Sequence, residues 1–126
     1  MMKKIQTEKA PAAIGPYSQA VVSGNLVYTS GQIPLSPSSG EVVGSTVTEQ
    51  TEALIQNLKE ILLAAGTSID KVIKTTCFIT SMKSFAEFNA VYEKHFSSKP
   101  ARSCVEVSAL PKGVLVEIEA IAETDK

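Results

Sequence analysis

The sequence predicts an α+β domain: a single β-sheet with two helices laid on one of its faces. Three observations carry that prediction. Two stretches of helical periodicity, each opened by a capping-box spacing, are interleaved with five runs rich in β-branched residues, in the order β-β-α-β-α-β-β. The final run alternates so that one of its faces is wholly apolar and the other mixed. A chain of 126 residues fits one domain, residues 1–126, in which about two-thirds of the unfolded surface can be buried.

Taken in order, a short strand is expected at Lys3 to Gln6. Tyr17 to Ser23 and Leu26 to Thr29 flank Gly24-Asn25, the pattern of a tight hairpin with positive φ in its turn. Ser36-Pro37-Ser38-Ser39-Gly40 reads as a loop. Thr46-Val47-Thr48-Glu49 has capping-box spacing. Val47, Thr51, Leu54, Ile55, Leu58, Ile61, Leu62 and Ala65 then recur at helical intervals, with Gly66 as the stop. Val72 to Ile79 reads as a strand. Ser84-Phe85-Ala86-Glu87 is a second capping-box spacing, ahead of a helix with Phe85, Phe88, Val91, Tyr92 and Phe96 on one side. Ala101 to Val107 and Val114 to Ala122 are the last two strands, and they are expected to pair with each other.

In that last strand Val114, Val116, Ile118, Ala120 and Ala122 share one face, and Leu115, Glu117, Glu119 and Ile121 the other. Two helices cover only one face of a sheet. The mixed face is too apolar for plain solvent surface, which predicts that further copies of the chain cover it in a closed ring.

Composition excludes several function classes. Hydrophobic residues make up 44% and charged residues 20%, with a formal net charge of −1, so nothing attracts nucleic acid or an anionic membrane. No apolar run follows Lys3-Lys4 to make a leader, and none approaches the roughly 20 residues of a membrane span. Cys77 and Cys104 stand apart in sequence and form no CxxC pair, which reads as reduced thiols and a cytoplasmic location. His95 is the one histidine, so no His/Cys metal set is expected, and no cofactor motif is present.

Of the twelve basic residues eleven are lysine and one is Arg102. Arg102, Cys104 and Glu106 fall on one face of their strand. Glu117 and Glu119 fall on one face of the next, about 7 Å apart. Two readings of Arg102 are open: a structural ion pair with Glu106 or Glu119, or a planar fork that grips a substrate carboxylate bidentately, as lysine cannot. The glutamates also read two ways, as solvated edge residues or as a general base with an ion-pairing neighbour. Cys104 lacks a nearby histidine to activate it and reads as a small packing residue, as His95 reads as a surface or partly packed one. Ile14-Gly15-Pro16-Tyr17 and Ser30-Gly31-Gln32 lack P-loop spacing but offer backbone N–H groups and a phenol at strand ends.

Three segments together resemble the Rid, or YjgF-like, family of reactive-intermediate deaminases: Ala10-Pro11-Ala12-Ala13-Ile14-Gly15-Pro16-Tyr17-Ser18-Gln19-Ala20, Thr29-Ser30-Gly31-Gln32-Ile33-Pro34, and Pro100-Ala101-Arg102-Ser103-Cys104-Val105-Glu106-Val107. Leu110-Pro111 and Glu117-Ile118-Glu119-Ala120 follow in the same order. The resemblance implies a chorismate-mutase-like fold whose sheets associate into a trimeric barrel with clefts between subunits. It also implies hydrolysis of 2-iminobutanoate and 2-iminopropanoate, or their enamines, to 2-oxo acids and ammonia, with no cofactor. In such members the arginine matching Arg102 holds the substrate carboxylate, and the glutamate matching Glu117 activates or orients water. Positions matching Tyr17, Ser30, Gly31, Asn89, Ser103 and the backbone at Cys104 line the cleft. Relatives often have a longer connection, with an aromatic residue just before Pro-Ala-Arg, where this chain has Phe96-Ser97-Ser98-Lys99-Pro100. The alternatives are a non-catalytic regulator that binds 2-oxo acids and an endoribonuclease or translation inhibitor. A chorismate mutase rests on fold analogy alone.

Overall fold

Six strands form one mixed sheet in the spatial order β1-β2-β3-β6-β4-β5. In chain order these are β1 (Met2–Ile5), β2 (Ala20–Ser23), β3 (Leu26–Thr29), β4 (Val72–Ile79), β5 (Ala101–Glu106) and β6 (Val116–Glu123). Helix α1 (Val47–Ala64) follows β3, and α2 (Phe85–His95) joins β4 to β5. The computed structural model describes residues 2–124. The expected α+β class, with two helices on one face of the sheet, is the observed one.

The β2–β3 hairpin turns at Gly24-Asn25, with Ser23 opposite Leu26. Gly24 has φ +62° and Asn25 is not left-handed, so positive φ falls on the first turn residue alone. Thr46 caps α1 as its spacing predicts: its hydroxyl accepts from the Glu49 N–H, and the Glu49 carboxylate accepts from the Thr46 N–H. The helix ends in a complete Schellman turn. Gly66, at φ +86°, donates to the Leu63 carbonyl and Thr67 to the Leu62 carbonyl.

The second capping box does not form. A 3-10 turn, Met82–Ser84, precedes α2, and Ser84 sits at φ −94°, ψ 7° with no side-chain cap bond. That backbone is already turned, whereas a capping hydroxyl needs an extended residue to reach forward. Glu87 faces α1 instead, where its carboxylate accepts from the Thr48 N–H at 3.0 Å and the Thr48 hydroxyl at 2.8 Å. One helix thus satisfies an open amide of the other.

A second expectation is corrected by the topology. β5 does not pair with β6; it runs parallel to β4, and β4 lies between them. The β4–α2–β5 segment is a crossover unit, and a crossover returns the chain parallel to the strand it left. β6 then fills the central position, antiparallel to both β3 and β4.

Leu54, Ile55, Leu58, Ile61 and Leu62 of α1 are fully buried against Val27, Val116, Ile118 and Ala122 of the sheet and Phe88 of α2. Among the described residues the opposite face of the sheet carries no helix. By register, Tyr28, Ile121 and Lys74 lie across it in one row, and Thr76 and Phe78 lie opposite Glu119 and Glu117. Tyr28 and Val105 leave 44% and 45% of their surface exposed there.

Candidate active site in two half-clefts

Arg102 sits on the helix-covered face, because it pairs with Thr75 of β4, which is buried beneath α2. Its guanidinium lies 4.8 Å from the ring centroid of Tyr92 and 5.5 Å from that of Phe85. One Nη donates to the Asn89 side-chain oxygen at 2.6 Å. Tyr92 is held in turn by a 2.8 Å hydrogen bond between its hydroxyl and that of Thr75. All three α2 residues point the same way because 85, 89 and 92 are spaced at i, i+4 and i+7. Aromatic faces and an amide oxygen therefore fix the plane of the fork. Arg102, Asn89, Tyr92, Lys99 and Pro100 line a cleft of about 420 Å³.

Neither expected ion pair forms. The Glu106 carboxylate accepts from the Met82 N–H at 2.8 Å, and Glu119 lies on the other face of the sheet. Among the described residues Arg102 has no carboxylate partner, so the structural ion-pair reading is set aside.

Glu117 belongs to the second half-cleft, about 600 Å³ in volume, lined by Tyr17, Ser30, Gly31, Gln32, Lys112 and Glu119 among others. Gln32 exchanges two backbone hydrogen bonds with Ile118, at 2.8 and 3.1 Å, which lays Ser30-Gly31-Gln32 alongside β6. Gly31 leaves room for the Glu117 carboxylate where it lies: a Cβ at residue 31 would overlap it and force that side chain to move. The Ser30 hydroxyl donates to the Ser18 carbonyl at 2.6 Å and its N–H to the Gln19 carbonyl at 2.9 Å. Gln19, 2% exposed, bonds to the backbone of Thr7, Ala10 and Pro11 and so fixes the loop that carries Tyr17. Burial pushes the Glu117 carboxyl above the usual carboxylate range, and the charge of Glu119 pushes it further.

The predicted residues thus divide into two groups. Tyr17, Ser30, Gly31 and Glu117 share one cleft; Asn89 and Arg102 share another. Register places the two groups on opposite faces of the sheet, since Glu117 pairs with Phe78 and Arg102 with Thr75, an odd number of residues apart along β4. Ser103 points to the open face, where the Lys74 ammonium donates to its hydroxyl at 3.3 Å. Cys104 lies on the Arg102 side, half-buried. Burial raises its thiol against the pull of Arg102, which leaves it a weak nucleophile. His95 belongs to neither cleft; it meets Glu52 of α1 at 2.8 Å.

Sequence reasoning missed Phe85, Tyr92, Thr75 and Gln19 as builders of these clefts. Phe85 and Tyr92 carry the signal of a core-facing helix side, and only the neighbour they meet distinguishes them. Lys99 and Lys112, both at φ +58°, were also missed, and each lines one of the two clefts. Among the described residues no group of three or more His, Cys, Asp or Glu could hold a metal ion, and no helix is long and apolar enough to cross a membrane.

Comparison with known proteins follows this geometry. A family model described as endoribonuclease L-PSP matches residues 7–124. The chain is 53% identical to a protein of Lactococcus lactis described as a candidate regulator, AldR, covering 97% of this chain and 98% of that one. It is 50% identical to the 2-iminobutanoate/2-iminopropanoate deaminase of Escherichia coli K12, again covering 97% and 98%. The crystal structure of E. coli TdcF with bound serine superposes with a TM-score of 0.92 at 47% identity, covering 98% of this chain and 99% of that one.

Proposed function

Because the chain belongs to the Rid/YjgF family, we propose that it is a hydrolytic deaminase that converts reactive 2-imino acids, 2-iminobutanoate and 2-iminopropanoate, to 2-oxo acids and ammonia. The observation that carries this reading is the clamped fork of Arg102. A guanidinium held flat by Tyr92, Phe85 and Asn89, without a protein carboxylate, suits a small external carboxylate bound through two N–H groups.

In this mechanism Arg102 anchors the carboxylate and so places the imine carbon. Positioning of this kind removes several kcal/mol, on the order of 7–11 at most, from a barrier. Glu117, ionised, takes a proton from a water molecule, which adds to the imine carbon. The resulting carbinolamine releases ammonia and leaves the 2-oxo acid. Base assistance contributes about 10²–10⁴-fold, which suits a substrate that already hydrolyses slowly in water. Tyr17, Ser30 and the backbone about Gly31 border the reacting centre.

Arg102 and Glu117 occupy opposite faces of one sheet, so the working site needs two copies of the chain. We assign it to a homotrimer in which the open face of each sheet is covered by its neighbours, bringing one subunit's Arg102 cleft against the Glu117 cleft of the next. Tyr28 and Val105, large and half-exposed on that face, favour such burial.

The deciding experiment generates the imine enzymatically from an amino acid and lets semicarbazide compete for it. Added protein is expected to cut semicarbazone formation, and Arg102→Ala to leave it uncut; equal yields with and without the wild-type protein would refute the deaminase. A second reading, a regulator that binds 2-oxo acids without turnover, is favoured by the description of the L. lactis relative. It predicts that Glu117→Gln leaves function intact. A ribonuclease has less support, since net charge −1 and a single arginine give no basic track for RNA.

A further inference from the structure

The two cysteines, 27 positions apart in sequence, are direct neighbours in space. Cys77 and Cys104 are Cα partners on adjacent parallel strands, β4 and β5, and neighbouring strands lie about 4.7–4.9 Å apart. Paired residues point to the same face, so both thiols stand on the helix-covered side. That spacing falls within the roughly 4.4–6.8 Å Cα separation of disulfides. Both thiols are free. Among the described residues β5 is an edge strand, paired with β4 alone, and can yield by the small shift a bridge requires.

The two thiols differ in access. Cys77 is fully buried, with its thiol pushed up to about 12 by burial, and its Sγ lies 3.9 Å from the Thr75 hydroxyl. Cys104 is half-buried; burial raises its thiol as well, and Arg102, two residues away, offsets part of that rise. An oxidant from solvent meets Cys104 first, and Cys77 is placed to attack the product from the protein side.

We propose that Cys77 and Cys104 form a redox-sensitive dithiol: a hydroperoxide oxidises Cys104, Cys77 resolves it as an intrachain disulfide, and the bridge disables the Arg102 half-cleft until a thiol reductant opens it. In the first step Cys104, slow because it reacts only through its small thiolate fraction, attacks the peroxide; the O–O bond breaks, and a sulfenic acid and water form. In the second, the Cys77 sulfur attacks the sulfenic sulfur, the S–O bond breaks, and the departing oxygen leaves as water with the Cys77 proton. Two thiols and one hydrogen peroxide give one disulfide and two waters. The loss of the half-cleft rests on the carboxylate-anchoring reading of Arg102; the bridge itself does not.

The test treats the whole protein with hydrogen peroxide, then unfolds and alkylates it for mass spectrometry. The expected product has lost two hydrogens, takes up no alkyl group, yields joined Cys77 and Cys104 peptides, and reverts with dithiothreitol. Cys77→Val is expected to stop at a Cys104 sulfenic acid that dimedone traps. Wild-type protein that stops at the same dimedone adduct, or that links only between chains, overturns the dithiol whether or not the variant folds. Imine hydrolysis is expected to fall at least tenfold in the bridged protein and to return on reduction. A bridged protein of undiminished activity overturns the switch. Reduced protein without activity refutes the deaminase reading instead, and the mass measurement still decides the dithiol.

Discussion

At the scale of single residues, Arg102 and Glu117 depend on being held, and their holders were hidden from the sequence. Arg102 stood out as the one arginine among eleven lysines, but nothing local shows that Phe85, Asn89 and Tyr92 meet it, because that contact is made across a helix crossover. Arg102→Lys keeps the charge and loses the fork and the stacking, and is expected to reduce kcat/KM on the order of 10²-fold, as a misplaced reacting group does; steady-state rates with enzymatically generated imine check it. Glu117 carries a pH prediction. Its carboxyl is raised in the folded chain by burial and by Glu119, and in the proposed mechanism it acts in the ionised form. Activity should therefore fall as pH drops through a value above the ordinary carboxylate range, and the low residual activity of Glu117→Gln should lack that limb. The same shift has a stability consequence of known sign. The folded chain binds this proton more tightly than the unfolded one, so ionised Glu117 disfavours the fold as pH rises. Glu117→Gln is expected to melt higher than wild type near neutral pH, with the difference closing as the solution is acidified through the raised pKa. Thermal melts at several pH values read it directly.

At the scale of elements, local rules succeeded where the information is local. Thr46 to Gly66 announces its start, its periodic face and its stop within 21 consecutive residues, and the folded helix uses all three signals. Gly66 at φ +86° is the sharpest of them. Gly66→Ala places a Cβ in the left-handed region and is expected to cost about 1–2 kcal/mol, readable as a lower urea midpoint with an unchanged slope. The failures have the same physical origin in reverse. Ser84-Phe85-Ala86-Glu87 has the spacing of a cap, but a 3-10 turn arrives first and the carboxylate goes to Thr48, 39 residues away. Strand pairing is likewise non-local. The alternation of β6 correctly separates its buried face from Glu117 and Glu119, but no pattern within β5 or β6 reveals that β4 lies between them.

At the scale of the whole molecule, that one topological fact changes what the proposed site must be. With β5 beside β6, Arg102 and Glu117 could have met within one chain; with β4 interposed and the two residues on opposite faces, they cannot. A closed ring in which each Arg102 cleft meets the next subunit's Glu117 cleft makes a quantitative prediction that no single-chain site shares. Arg102→Ala and Glu117→Gln subunits, each far below wild-type activity alone, are unfolded, mixed in equal amounts and refolded together. A site is intact when its Arg102 comes from a Glu117→Gln subunit and its Glu117 from an Arg102→Ala subunit. Random assembly around a cyclic ring makes about one quarter of the sites intact. Recovery of about that share of wild-type activity, only after co-refolding, is the expected result. Each variant carries one of the two damaged groups on every chain, so a site built within one subunit would stay inactive at any mixing ratio. Intermediate ratios sharpen the test, because activity should follow the product of the two subunit fractions and peak at equal amounts.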